Sequence, residues 1–244
     1  MIKVIDNFNH HSLNKFRKEI NIELLKINKK YNNDLSLLHN YISYKDINNI
    51  RLRLFRKINK LNWKKMLLEL ASKDIFNILG QDLLIQTKLN LSIQMPKDET
   101  SILPLHSDSW SADSPFQINL WIPLTDCFKT NSMFIKSKKE SIKILKDIGA
   151  NKNINLSKIR ILEKDFINLK YGQFVIFNPV LLHGNIKNQT NKTRVSLNIR
   201  IKSIFSPEPS NRNSDRKYGA YYNLFNISEN TKLAFDAINA NFLE

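Results

Sequence analysis

Cysteine is almost absent from this 244-residue chain. Cys127 stands alone, which excludes an intrachain disulfide framework and fits a reducing compartment. Five glycines and seven prolines exclude collagen-like and Gly/Ser-linker architectures. No apolar run approaches the roughly 18 residues of a membrane span. The start, Met1 to His10, lacks the apolar stretch of a signal peptide. A soluble, cytoplasmic protein with no membrane partner is therefore expected, organised as one domain over residues 1–244. Acidic residues are also scarce, with 22 Asp and Glu against 38 Lys and Arg, a formal net charge of +16.

The charge has a compositional explanation. The chain holds 32 Asn, 31 Ile and 29 Lys but only 9 Arg, and the three abundant types have A/T-rich codons. Lysine is dispersed from Lys3 to Lys232 and forms no block of five or six like charges. That pattern reads as solvated faces in a low-GC genome rather than as a nucleic-acid footprint, so nucleic acid is not an expected partner. A positive field does favour an anionic small-molecule substrate.

The first 80 residues read as a helical lead-in. Ser12 is placed to cap a helix with Leu13, Phe16, Ile20 and Leu24 on one face, and Trp63, Met66, Leu67 and Leu70 mark a second helix. Ser72 is placed to start a short third piece ending at Gly80. From residue 83 the period changes to two. Leu84, Gln86, Lys88, Asn90, Ser92 and Gln94 alternate with Ile85, Thr87, Leu89, Leu91, Ile93 and Met95, giving one long strand that ends at Pro96. Further strands are expected over 116–124, 132–136, 173–178, 181–183 and 193–203, with a helix over 141–148 and a last one capped near Ser228. The fold class is mainly β with flanking helices: a double-stranded β-helix (jelly roll, cupin-like) core over 81–205, N-terminal helices packed outside, and a C-terminal loop and helix over 206–244. Two strands carry rows of uncharged polar residues where a solvated face would carry Lys, so those rows are expected to line an internal cavity.

Five histidines divide into two groups. His10, His11 and His39 lie in or beside the lead-in without acidic partners at ligand spacing, and read as surface or packing residues. His106-Ser107-Asp108 is an H-x-D, and in an extended segment residues two apart point the same way, so imidazole and carboxylate can meet one metal. His183 follows 75 residues after Asp108, at the end of the apolar strand Phe174-Val175-Ile176-Phe177 and just before Gly184. Arg194 comes eleven residues later on the polar face of the next strand. Two histidines and one carboxylate form a facial triad that leaves three positions open on Fe(II). A 2-oxo acid fills two and O2 the third, and Arg offers a two-pronged donor to the far carboxylate of the 2-oxo acid.

This pattern resembles the Fe(II)/2-oxoglutarate-dependent dioxygenases, and the close spacing of the distal His and Arg is similar to the phytanoyl-CoA dioxygenase superfamily. Leu103-Pro104-Leu105-His106-Ser107-Asp108-Ser109-Trp110, with Asp113-Ser114-Pro115-Phe116, resembles a narrower subgroup found in carbohydrate-biosynthesis clusters. The resemblance covers roughly residues 80–205. One departure is Lys136-Ser137-Lys138-Lys139, where the wider superfamily usually has a Pro-Gly-Ser-His segment.

The resemblance implies His106, Asp108 and His183 as iron ligands and Arg194 as the 2-oxoglutarate anchor, with Arg200 on the same face as the fallback. Asn90, Asn119 and Asn185 are candidates for further co-substrate contacts, and Gln86, Lys88 and Trp110 for contacts to substrate. Gln94 and Trp121 receive no role, and no catalytic side chain is expected beyond the metal centre. Asp108 argues for hydroxylation or another oxidation over halogenation, which needs a small residue there. The implied substrate is a sugar, nucleotide sugar or related polysaccharide precursor. A cupin-like metal protein that binds or isomerises a carbohydrate without O2 chemistry is the alternative, and Arg194 argues against it. Ser206 to Tyr222, with Arg212, Arg216, Lys217, Tyr218 and Tyr221, reads equally as a lid or a plain connector.

Overall fold

The computed structural model describes residues 1–6, 10–111, 113–150, 152–207 and 216–239. The lead-in holds β1 (Ile2–Asp6), α1 (His11–Ile27), α2 (Ile47–Ile58) and α3 (Trp63–Leu79). Then follow β2 (Leu83–Gln86), β3 (Asn90–Gln94), β4 (Ile118–Pro123), β5 (Phe134–Ile135), α4 (Lys138–Gly149), β6 (Gln173–Phe177), β7 (His183–Gly184), β8 (Arg194–Ser203), β9 (Tyr222–Asn226) and α5 (Glu229–Asn239).

Seven strands form one antiparallel sheet in the order β1-β6-β4-β8-β2-β9, with β3 beside β2 along the same edge of β8. A two-stranded sheet, β5-β7, is separate from it. The result is a jelly-roll-type core that stays open rather than closing into a barrel. Alternation decides what each face of the large sheet meets. Ile85, Leu91, Ile93, Leu120, Val195, Leu197 and Ile199 face one way and join a continuous core with Leu13, Ile20, Leu54, Ile58, Leu67 and Ile75 from the three lead-in helices. The other face carries polar side chains and borders a smaller apolar cluster that includes Trp121, Met133, Val175 and Phe177.

Several local readings are corrected by partners distant in sequence. Ser12 does not cap α1; it lies in the first turn and its hydroxyl donates to Glu69 Oε2 at 2.7 Å. Ser72 starts no new helix, because α3 runs unbroken until Gly80, whose φ of +79° ends it. The expected long strand over 84–95 is interrupted between Gln86 and Asn90. There the amide of Asn59 accepts from Leu89 N at 2.8 Å and donates to Leu89 O at 2.9 Å, while Thr87 N donates to Tyr221 O at 2.9 Å. β8 stays continuous and pairs with β2 through residues 201–203 and with β3 through 194–198. β1, α2 and β9 are additions to the sequence reading. Ser228 does cap α5, accepting from Thr231 N at 3.3 Å, and is itself held by Asp82. At the departure noted above, Ser137 and Glu140 form a capping box that starts α4. No helix among the described residues is long and apolar enough to cross a membrane.

Candidate metal centre

Backbone pairing brings the two distant histidines together. His106 and His183 form an antiparallel bridge in which each N–H donates to the other's carbonyl at 2.9 Å. Gly184 permits the approach: a Cβ there would lie 2.6 Å from Leu103 O and 2.8 Å from Pro104 O. Asn185 pins the same loop, accepting from Leu103 N at 2.5 Å and donating to Ser101 O at 3.1 Å. Asp108 opens a short 3-10 turn, and its N–H donates to Pro179 O at 3.1 Å.

The imidazole tautomers follow from the neighbours. Nδ1 of His106 lies 2.7 Å from Pro104 O, and Nδ1 of His183 lies 2.8 Å from Leu181 O. A carbonyl only accepts, so each Nδ1 carries its hydrogen and each Nε2 is left for another partner. Both Nε2 atoms face Asp108 Oδ1, at 3.4 and 3.8 Å. The three donor atoms all lie within 4.8 Å of one another. Burial drives His183 down to about 4, so it is neutral at pH 7. For His106 burial is again the largest single influence, but Asp108 and the Pro104 carbonyl together outweigh it and the net displacement is upward. Asp108 is opposed by burial, yet His106 and Arg200 hold it well below the usual carboxylate range.

The second oxygen of Asp108 is fully engaged. Its Oδ2 accepts from Asn119 Nδ2 at 2.6 Å and from Arg200 Nη2 at 3.0 Å. Asn119 and Arg200 are direct cross-strand partners on β4 and β8, so both project from the same face at the same level. The amide of Asn119 is oriented by a buried relay. Tyr222 OH donates to Gln117 Oε1 at 2.5 Å, and Gln117 Nε2 donates to Asn119 Oδ1 at 3.2 Å, which turns Nδ2 toward Asp108. Arg200 Nε donates to Asp113 Oδ2 at 2.8 Å, and Nη1 reaches Gln86 Oε1 at 3.5 Å and Tyr221 OH at 3.4 Å. Arg216 lies 3.4 Å from the other oxygen of Asp113. Burial works against the Arg200 cation, but Asp108, Tyr221 and Asp113 raise its affinity for the proton.

Arg194 is different. It is 3% exposed, and its nearest polar contacts are neutral: Ser92 Oγ at 3.2 Å and Asn131 O at 3.4 Å. Its Nε has no hydrogen-bond partner. Burial pulls its value down to about 10. Three neighbouring polar atoms are also buried without partners: Asn131 Nδ2, Ser196 Oγ and Asn198 Oδ1. Arg194 lines a cavity of about 580 Å³ together with His106, Asp108, His183, Asn198 and Arg200, and Trp121, Met133 and Phe177 supply apolar wall. A buried cation without a carboxylate is costly unless an anion joins it.

These groups fit a divalent iron and a 2-oxo acid. Two imidazole Nε2 atoms and a carboxylate oxygen converge within 4.8 Å of one another, a donor set that suits such a cation. The Arg194 guanidinium, which has no carboxylate beside it, fits the far carboxylate of the co-substrate.

The expected site residues sort by position. His106, Asp108, His183, Arg194, Asn185 and Trp110 line the cavity. Trp110 is 43% exposed at its rim. The other expected residues take different positions in this structure. Asn119 is spent on orienting Asp108 rather than on the cavity surface. Asn90 is half-buried, opposite Asn198 in the β3–β8 ladder, and outside the cavity lining. Lys88 is exposed in the strand break, because the interruption at 87–89 removes it from the inward face. Gln86 is buried but meets Arg200 instead of open space. Arg200, the fallback anchor, lines the cavity with two carboxylates against it. Asp113 and Gln117 had no assigned role; the inward parity of Arg200 and Asn119 was the available signal. Gln94, also unassigned, is fully buried and donates to Ile186 O. Of the lid candidates, residues 208–215, including Arg212, lie outside the described residues, while Arg216 and Tyr221 close on Asp113 and Arg200.

The chain is similar to several known proteins. Over 110 residues the chain is 25% identical to StrG, a streptomycin biosynthesis protein of Streptomyces griseus; the match spans 45% of this chain and 42% of that protein. The fold is shared with the non-heme monooxygenase ThoJ (TM-score 0.52, 16% identity, 93% of this chain and 81% of that one). It is also shared with HygX from Streptomyces hygroscopicus, solved with nickel and 2-oxoglutarate bound (TM-score 0.50, 14% identity, 91% and 92%). AviO1 from Streptomyces viridochromogenes gives a TM-score of 0.50 at 14% identity over 85% and 92%. Residues 25–196, well over half of the sequence, match the family model for phytanoyl-CoA dioxygenase. With that match over more than half of its length, the chain belongs to the phytanoyl-CoA dioxygenase family.

Proposed function

We propose that this protein is an Fe(II)- and 2-oxoglutarate-dependent oxygenase that hydroxylates or otherwise oxidises a sugar, nucleotide sugar or related polysaccharide precursor. The observation that carries the co-substrate half is Arg194: a buried guanidinium with no carboxylate beside it, in the same cavity as three converging metal donors. The match to a streptomycin biosynthesis protein and the resemblance of residues 103–116 to a carbohydrate-cluster subgroup support the substrate half. The net charge of +16 suits an anionic one.

His106 and His183 would hold iron through Nε2, with Nδ1 fixed by backbone carbonyls so that neither ring can turn away. Asp108 would supply Oδ1. Arg194 would hold the far carboxylate of the 2-oxo acid, its present contacts to Asn131 O and Ser92 Oγ giving way to charge-assisted ones. Trp121, Met133 and Phe177 exclude water around it. Trp110, at the rim, presents an indole face on which a sugar ring can stack. When bound, iron with 2-oxoglutarate and O2 supplies an oxidant for a substrate C–H bond while the 2-oxo acid becomes succinate and CO2. The chain's own contribution is binding, orientation and a dry pocket.

The test is anaerobic reconstitution with Fe(II) followed by 2-oxoglutarate titration, watching for the visible charge-transfer band of a bidentate 2-oxo-acid complex. The band is expected in wild type and lost in Asp108→Ala. Its absence from metal-loaded wild type refutes the co-substrate assignment. A panel of nucleotide sugars, none of which stimulates succinate formation, refutes the substrate class.

A further inference from the structure

Asp108 meets four groups, and they divide by oxygen. Oδ1 faces the two imidazole Nε2 atoms. Oδ2 is held by two donors that arrive through separate supports. Arg200 is backed by Asp113, which is buried and also neighbours Arg216. Asn119 is backed by Gln117 and Tyr222. A carboxylate whose second oxygen already accepts two hydrogen bonds, one from a cation, resists turning that oxygen to a metal.

We infer that Arg200 is a positioning residue that limits Asp108 to one metal-binding oxygen, and that Asp113 and Asn119 complete this lock. The inference rests on the iron and 2-oxoglutarate reading above. A facial triad is useful because it leaves three adjacent positions, two for a 2-oxo acid and one for dioxygen. A carboxylate that turns and binds through both oxygens removes one of the three. Arg200 therefore protects the vacancy the co-substrate needs, without touching the metal or the 2-oxo acid. This explains why a second arginine lies in the cavity already neutralised by carboxylates, while Arg194 is left without one.

The test uses purified full-length chain loaded anaerobically with Co(II), whose visible absorption reports coordination number. Arg200→Met alone strands the buried Asp113 carboxylate and risks misfolding, so the pair Arg200→Met/Asp113→Asn is made beside Asn119→Leu and the conservative Arg200→Lys. Three quantities are read: Co(II) affinity, the cobalt spectrum before and after 2-oxoglutarate, and 2-oxoglutarate affinity. In the double variant, Co(II) affinity is expected to stay within a few-fold of wild type. Its ligand-free spectrum should change, and 2-oxoglutarate affinity should weaken by about tenfold or more, the usual reach of groups that orient metal ligands. Arg200→Lys should recover part of that loss, and Asn119→Leu should move the spectrum in the same direction. A folded double variant with wild-type spectrum and wild-type 2-oxoglutarate affinity overturns the lock. So does a parallel loss of Co(II) affinity, 2-oxoglutarate affinity and thermal stability, the signature of a structural role. If wild type itself fails to bind Co(II) or 2-oxoglutarate, the proposed function falls first and takes the lock with it, which separates the two failures.

Discussion

Replacing Arg194 with methionine should have opposite effects on stability and on co-substrate binding. Methionine keeps much of the side-chain volume and removes the charge. In the ligand-free protein the arginine is a buried cation whose value falls from 12.5 to about 10, because burial opposes its charge. At about 1.4 kcal/mol for each tenfold change, that depression corresponds to roughly 3.5 kcal/mol held against the folded state. Its contacts at 3.2 and 3.4 Å return only part of this. Arg194→Met should therefore leave the apo Tm unchanged or raise it. The same substitution removes the charge-assisted partner of the 2-oxoglutarate carboxylate, and losing one member of a buried ion pair costs about 3–5 kcal/mol. Co-substrate affinity should fall by roughly 10²- to 4 × 10³-fold. Thermal unfolding without ligand, and isothermal titration of 2-oxoglutarate into Co(II)-loaded protein, measure the two halves. An apo Tm that drops steeply, or a 2-oxoglutarate Kd within threefold of wild type, would show that Arg194 is a structural cation and not a waiting anchor.

Other substitutions probe the scaffold. Lys136 and Asp165 form a buried pair at 2.7 Å. Lys136→Met should destabilise by about 3–5 kcal/mol, and adding Asp165→Asn should recover more than half in chemical denaturation. Burial and Lys192 hold His39 below its usual value of 6.5, with Nδ1 2.8 Å from Thr193 Oγ1. The unfolded chain then binds more protons at this position as pH falls through and below 6.5. Stability should decline over that window, and less steeply in His39→Gln when Tm is compared at pH 7.5 and 5.5. The Cys127 thiol is fully buried and pushed up to about 12, so a thiol reagent at pH 8 should label it only after unfolding. Prompt labelling of native protein would contradict its burial.

What was legible in the sequence was local. His106-Ser107-Asp108, the strand ending at His183 and the polar row on β8 are short-range patterns, and the structure brings them to one cavity. Parity alone placed Asn119 and Arg200 on the inward face. It could not say that both are consumed by Asp108, because that depends on register between strands some 80 residues apart. The same limit hid the strand break at 87–89, which depends on Asn59 in the lead-in. Lys88 is exposed for that reason: a pattern of period two carries no mark of a distant amide that diverts the backbone. The edge strands escaped notice because β1 is exposed along most of its length and β9 is only partly buried, so neither shows strong alternation.

β8 carries Arg194, Ser196, Asn198 and Arg200 on one face, and Val195, Leu197, Ile199 and Ile201 on the other. Six residues at about 3.3 Å each put the co-substrate arginine and the Asp108-holding arginine roughly 20 Å apart along one continuous strand. A slip of a single residue would turn both arginines into the helix-packed core and expel four aliphatic side chains. Misregistered chains therefore cannot persist as folded but miswired enzyme. Folding yield and active-site occupancy should rise and fall together across variants of this strand, so for β8 a screen for soluble expression doubles as a screen for an intact centre.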